Sequence, residues 1–145
     1  MSVIRTVHAG FDGFQTRKPV VFVVDDDVVT LSLLCEIASE AGWDARGFTR
    51  LGDLRLAIDD GAPALLILDD DLPDGRGGDL ARDLGDDPRL ANVPLLVCTA
   101  AHPMRQAEIG AWAPVISKPF RLATIDRLLA DAHPDARRAR AHRAG

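Results

Sequence analysis

With 145 residues, 47% of them apolar, the chain has the length of one domain and enough apolar side chains for a real core, while no apolar run approaches the roughly 18 residues of a membrane span. The formal net charge of −5 is unevenly spread: the last thirteen residues, "HPDARRARAHRAG", carry four arginines against one aspartate, so the rest of the chain stands at −8. An acidic body argues against direct, nonspecific DNA binding by the domain itself.

Residues 1–17 hold glycines and scattered charges without a period, which predicts an arm and excludes the uninterrupted apolar segment of a signal peptide. "VVFVV" (20–24) is the first of four short apolar runs, followed by "ALLIL" (64–68), "VPLLVC" (93–98) and "PVIS" (114–117). Continuous rather than alternating apolarity predicts parallel strands buried on both faces. Residues 28–41 place Val28, Leu31, Leu34, Cys35 and Ala38 on one helical face, with Asp27 as a cap and Gly42 as the stop. "WDARGF" (43–48) reads as a half-exposed edge strand. A helix over 50–60 repeats Leu51, Leu54 and Ile58 after Thr49 and ends at Gly61. Shorter helices are expected over 78–84 and 103–110, and an amphipathic one over 121–132 with Leu122, Ile125, Leu128 and Leu129. The tail, 133–145, is expected to be a solvated, disordered extension of the domain at 18–132. Cys35 and Cys98 lie in apolar patterns without CxxC spacing and read as reduced core thiols of a cytoplasmic protein.

Strand and helix thus alternate five times, which predicts an α/β fold: a doubly wound, five-stranded parallel sheet with helices on both faces. Right-handed crossovers bring every strand's C-terminus to one edge, where such folds bind ligands. Four strands end there in chemically distinctive residues. The first runs into Asp25, Asp26 and Asp27, the third into Asp69, Asp70 and Asp71, the fourth into Thr99 and the fifth into Lys118, followed by Pro119. Carboxylates this crowded do not all stay ionised without a cation. A hard divalent ion resolves the conflict, and Mg²⁺ suits two or three carboxylates with remaining waters. Only two of the seventeen basic residues are lysines, Lys18 and Lys118, so a compact point charge has been kept at a position where arginine is otherwise the rule.

From about Lys18 to Ala132 the sequence resembles the receiver domain of bacterial two-component response regulators. "VVDDD" matches the acidic pair after the first strand. "LLILDDDLPDGRGG" matches the phosphoacceptor segment, with proline four residues and glycine eight residues beyond the aspartate; "LLVCTA" and "SKPF" match the switch threonine and the lysine–proline pair. The resemblance implies a flavodoxin-like strand order 2-1-3-4-5. It implies Asp69 as phosphoacceptor, and Asp25 and Asp26 holding Mg²⁺ together with Asp69 and the backbone carbonyl of Asp71. Thr99 and Lys118 would engage the phosphoryl oxygens. It further implies a histidine kinase or histidine phosphotransfer protein as donor, self-catalysed phosphorylation rather than enzyme turnover, and a cytoplasmic monomer or phosphorylation-dependent dimer. With only thirteen residues after Ala132, the chain reads as a stand-alone receiver docking to a downstream protein.

The pattern departs from the family in three places. Val115 stands where an aromatic residue is usual, and the chain has no tyrosine. The eighteen residues between Thr99 and Lys118 are fewer than typical, which predicts a short or irregular fourth helix. Asp70 replaces the usual apolar residue and adds charge beside the phosphoacceptor. These departures motivate a second reading, a phosphorylation-independent interaction module. A third, a haloacid-dehalogenase-type phosphohydrolase, fits "ILDDD" but needs a longer chain with its nucleophile on the first core strand.

Overall fold

The computed structural model describes residues 17–144. Strand β1 (Val20–Val24) pairs in parallel with β2 (Asp44–Phe48) on one side and β3 (Leu65–Leu68) on the other; β4 (Leu95–Thr99) follows β3, and β5 (Val115–Ser117) closes the sheet. The order is β2-β1-β3-β4-β5, as expected. Successive side chains of a strand point to opposite faces, so an unbroken apolar run serves two core layers at once. Phe22, Val24, Leu66, Leu68 and Val97 pack on one face, and Val21, Val23, Leu65, Ile67 and Cys98 on the other.

The first layer is closed by α2 (Leu51–Asp60), α3 (Gly77–Gly85) and Ile109 of α4 (Pro103–Ile109); the second by α1 (Val28–Glu40) and α5 (Leu122–Ala132). Helix α4 has only seven residues, in line with the short connection. The apolar stripe of α1 is narrower than expected. Leu34 and Ala38 are buried, but Val28, in the first turn, is 63% exposed. Gly42, at φ +93°, ends that helix in the left-handed region. Trp43 is a packing residue, its indole N–H donating to the Leu129 carbonyl at 3.1 Å.

One expectation needs correction. The C-terminal tail is not disordered within the described residues: Pro134–Ala144 forms a sixth helix, α6. Alanine and arginine are strong helix formers, Pro134 is suited to the first turn, and Asp135 sits there to face the positive end of the helix dipole. Arg138 pairs with Asp135, and Arg140 donates to the Asp131 carbonyl at 2.7 Å. The expected arm, apart from Arg17, lies outside the described residues.

The start of α2 follows Thr49 and Arg50, and neither side chain caps it. The cap comes instead from Asp74, whose carboxylate accepts the backbone N–H groups of Leu51 at 2.8 Å and Gly52 at 2.9 Å. Those donors have no partner within the helix, so a carboxylate from another loop stabilises them both by hydrogen bonding and by the helix dipole. Asp74→Ala is expected to lower the thermal midpoint by a few degrees and to raise amide exchange at residues 51–53; hydrogen exchange with mass spectrometry checks both the size and the place of the effect.

Candidate functional site

The hydrogen-bond ladder runs one residue past β1, β3 and β5 and so fixes the backbone of the polar groups that follow. Asp25 donates its N–H to Phe48 O at 3.0 Å, Asp69 to Val24 O at 2.9 Å and Lys118 to Thr99 O at 2.8 Å. The Lys118–Pro119 peptide is cis.

Asp25, Asp69 and Thr99 are buried, while Asp26 is exposed beside them. Carboxylate oxygens of Asp25, Asp26 and Asp69 lie within 4.8 Å of one another. The Lys118 ammonium reaches over them, 2.6 Å from Asp25 Oδ2 and 3.3 Å from Asp69 Oδ2. Backbone amides hold the remaining oxygens: Asp27 N–H donates to Asp25 Oδ1 at 2.9 Å and Asp71 N–H to Asp69 Oδ1 at 3.4 Å. Thr99 Oγ1 accepts from Ala101 N–H at 3.2 Å. Asp26, Asp69, Thr99 and Lys118 line a cleft of about 360 Å³ at the end of the sheet, which Asp71 also borders. The structure therefore brings Asp25, Asp26, Asp69, Asp71, Thr99 and Lys118 together.

Electrostatics follow from this crowding. Burial lifts the Asp69 carboxyl above its ordinary value; Lys118 pulls against that and the Asp25 charge adds to it. For Lys118, burial works to lower the ammonium, but the hydrogen bond to Asp25 and the charges of Asp69 and Asp25 outweigh it, and the net shift is upward. The lysine stays charged over a half-satisfied carboxylate set. Three hard oxygen donors, one of them open to solvent, form a set compatible with a small divalent cation.

Asp70 behaves differently from its neighbours. Its carboxylate is buried and gripped by Arg105 of α4 through two bonds, Nε to Oδ2 at 3.0 Å and Nη2 to Oδ1 at 2.9 Å. Gly78 N–H donates to it at 3.0 Å, and Arg76 stands 3.5 Å away. Burial would raise this carboxyl, but the hydrogen bonds from Arg105 and Gly78 outweigh it and hold the group below its ordinary value. Asp70 is thus a neutralised anchor rather than added charge in the cleft.

Of the glycines of "DGRGG", Gly75 belongs to a small antiparallel hairpin, Asp71–Leu72 with Gly75–Arg76, and Gly77 and Gly78 open α3. A Cβ on Gly77 would stand 1.8 Å from the Asp69 carbonyl oxygen, and one on Gly78 would stand 2.7 Å from Ile109 Cδ1 and 2.8 Å from Asp70 Oδ1. Gly77 is the glycine the motif singled out eight residues beyond Asp69, whereas Arg105 and Gly78 are residues of the surroundings that sequence reading missed. A carboxylate at an apolar position does demand a cation, but periodicity does not choose between Arg76 and Arg105.

An open parallel sheet with its polar groups gathered between the ends of β1 and β3, where the strand order reverses, defines the ligand-handling class of doubly wound α/β domains. Residues 21–130 match the family model described as the response regulator receiver domain. The chain belongs to this family and is a signalling domain of two-component systems, not a conventional enzyme. It is 34% identical over 116 residues to the transcriptional regulatory protein GltR of Pseudomonas aeruginosa, an alignment covering 75% of this chain and 48% of that protein. The chain spans about half the length of this curated relative. The fold is that of the chemotaxis response regulator CheY4 of Vibrio cholerae (TM-score 0.70, 18% identity, 79% of this chain and 98% of that one). It is likewise that of the signal receiver domain of a putative Luxo repressor protein from Vibrio parahaemolyticus (TM-score 0.73, 19% identity, 84% and 95%). No described helix is long and apolar enough to cross a membrane.

Proposed function

We propose that this receiver takes a phosphoryl group onto Asp69 from the phosphohistidine of a histidine kinase or histidine phosphotransfer protein, and that the modified form signals by docking to a downstream protein. An Asp69 carboxylate oxygen attacks phosphorus while the P–N bond to the donor imidazole breaks, giving an acyl phosphate and a histidine that takes up a proton. The observation that carries this reading is the Lys118 ammonium bridging Asp25 and Asp69 at 2.6 Å and 3.3 Å. It opposes the rise that burial imposes on the Asp69 carboxyl and stands ready to pair with a phosphoryl oxygen. Thr99 turns its hydroxyl into the same cleft, where it is a donor for a second oxygen. Such transfers need alignment and charge neutralisation more than covalent help from the protein.

Asp25, Asp26 and Asp69, with the Asp71 backbone carbonyl, are the groups that would hold Mg²⁺. Bound there, the ion supplies neutralisation of the carboxylates and of the incoming phosphoryl oxygens. The acidic surface speaks against direct DNA binding by this domain, and a cytoplasmic histidine kinase output is the setting that fits its chemistry.

Incubation with acetyl phosphate and Mg²⁺, read by intact mass, tests the proposal. One added phosphoryl group is expected, absent from Asp69→Asn and from a chelator-treated sample. The reading fails if neither acetyl phosphate nor a panel of phosphorylated histidine donors adds that mass; a constitutive interaction module is then what remains.

A further inference from the structure

The usual aromatic partner of the switch threonine is absent, since β5 carries Val115 in its place, yet α4 is tied directly to the phosphoacceptor loop by another route. Arg105 holds Asp70, the residue next to Asp69, through its two-bond fork, and also bonds Asp79 of α3 at 2.8 Å and Glu108 at 3.0 Å. The same guanidinium lines the cleft shared by Asp69, Thr99 and Lys118. We infer that Arg105 is the moving part of this receiver: Asp70 holds it in the unmodified protein, and a phosphoryl group on Asp69 draws it off. The inference rests on the phosphorylation reading above.

Three observations support an exchange rather than a fixed tie. First, a phosphoryl group brings nearly two negative charges and three acceptor oxygens, which an arginine fork matches at least as well as a carboxylate. Second, Asp70 is not stranded when Arg105 leaves. Gly78 N–H stays on Oδ1, and Arg76, 3.5 Å away with a 64% exposed side chain, is free to close on Oδ2. Third, the next residue transmits the movement: the Gln106 amide donates to Ala101 O at 2.7 Å and to Ser117 Oγ at 3.2 Å. A displaced Arg105 therefore shifts the hold on the segment after Thr99 and on β5 together. Arg105 acts here as a phosphoryl-binding group in one state and as a positioning group for α4 in the other.

The opposing signs of two substitutions test this. Beryllofluoride with Mg²⁺, a phosphoryl mimic, is titrated into the full chain, into Asp70→Asn and into Arg105→Gln. Freeing Arg105 by Asp70→Asn is expected to tighten beryllofluoride binding about fivefold or more, and Arg105→Gln to weaken it by a similar factor, with Arg105→Lys between. In the unsubstituted protein, hydrogen exchange is expected to rise over residues 102–109 on beryllofluoride binding and to stay level in Arg105→Gln. That measurement decides the matter even if Asp70→Asn does not fold. Shifts of the same sign in both variants, or unchanged exchange over 102–109 in the unsubstituted protein, overturn the latch and leave phosphorylation standing. An unsubstituted protein that takes neither beryllofluoride nor a phosphoryl group overturns both.

Discussion

Lys118→Met is expected to destabilise the protein by about 3–5 kcal/mol at neutral pH and to slow phosphoryl uptake by two orders of magnitude or more. The ammonium is the cation that separates Asp25 from Asp69, both of them buried. Methionine fills much the same space without charge, so the loss is electrostatic: two carboxylates then face each other with only backbone amides as partners. Mg²⁺ is expected to narrow the deficit, since it would neutralise the same oxygens, whereas it stabilises the unsubstituted protein less. Chemical denaturation with and without Mg²⁺ measures the first effect, and the time course of intact mass with acetyl phosphate the second. A variant as stable as the parent in the absence of divalent ions would show that Lys118 does not carry this charge balance.

Gly77→Ala is expected to be comparably damaging, for a steric reason. The added methyl would sit 1.8 Å from the Asp69 carbonyl oxygen and 2.9 Å from its carbonyl carbon, contacts made by backbone and therefore unable to swing aside. Relief requires the start of α3 to move away from the loop that carries Asp69, breaking the Gly77 N–H bond to Asp70 O at 3.0 Å and the Gly78 N–H bond to the Asp70 carboxylate. Overpacking of this kind costs about 1–3 kcal/mol where side chains yield, and more where the backbone must. Phosphoryl uptake is expected to fall with it, because the loop that aims Asp69 shifts. Gly85→Ala is the control: its Cβ meets nothing within 4 Å. Thermal denaturation of the two variants, with Asp69 modification followed by mass, separates a local clash from the general effect of replacing a glycine of α3 by alanine.

The site was legible because its acids and lysine stand at strand ends. A run such as "ALLIL" announces a strand buried on both faces, and topology alone carries Asp25, Asp69, Thr99 and Lys118 to one edge. Less of the surroundings could be read. Asp70 looked like one more charge in the nest, because adjacency in sequence does not say which way a side chain turns; Arg105, thirty-five residues on, settles that. No cap for α2 could be read locally, because the carboxylate that caps it, Asp74, comes from the hairpin turn more than twenty residues on. The tail read as disordered from its charge, although arginine and alanine are both strong helix formers and Pro134 supplies a suitable first turn.

By itself the sequence determined the strands, most of the helices and the strand-end edge to which Asp25, Asp26, Asp69, Asp71, Thr99 and Lys118 are carried. These depend on periodicity and on the handedness of crossovers, which are local and nearly universal. Only the tertiary structure decided which carboxylates share Lys118, that Asp70 belongs to Arg105, and why residues 77 and 78 are glycines. Each of those is a contact between segments far apart in the chain, and its energy depends on distances of a few ångströms that no local pattern encodes.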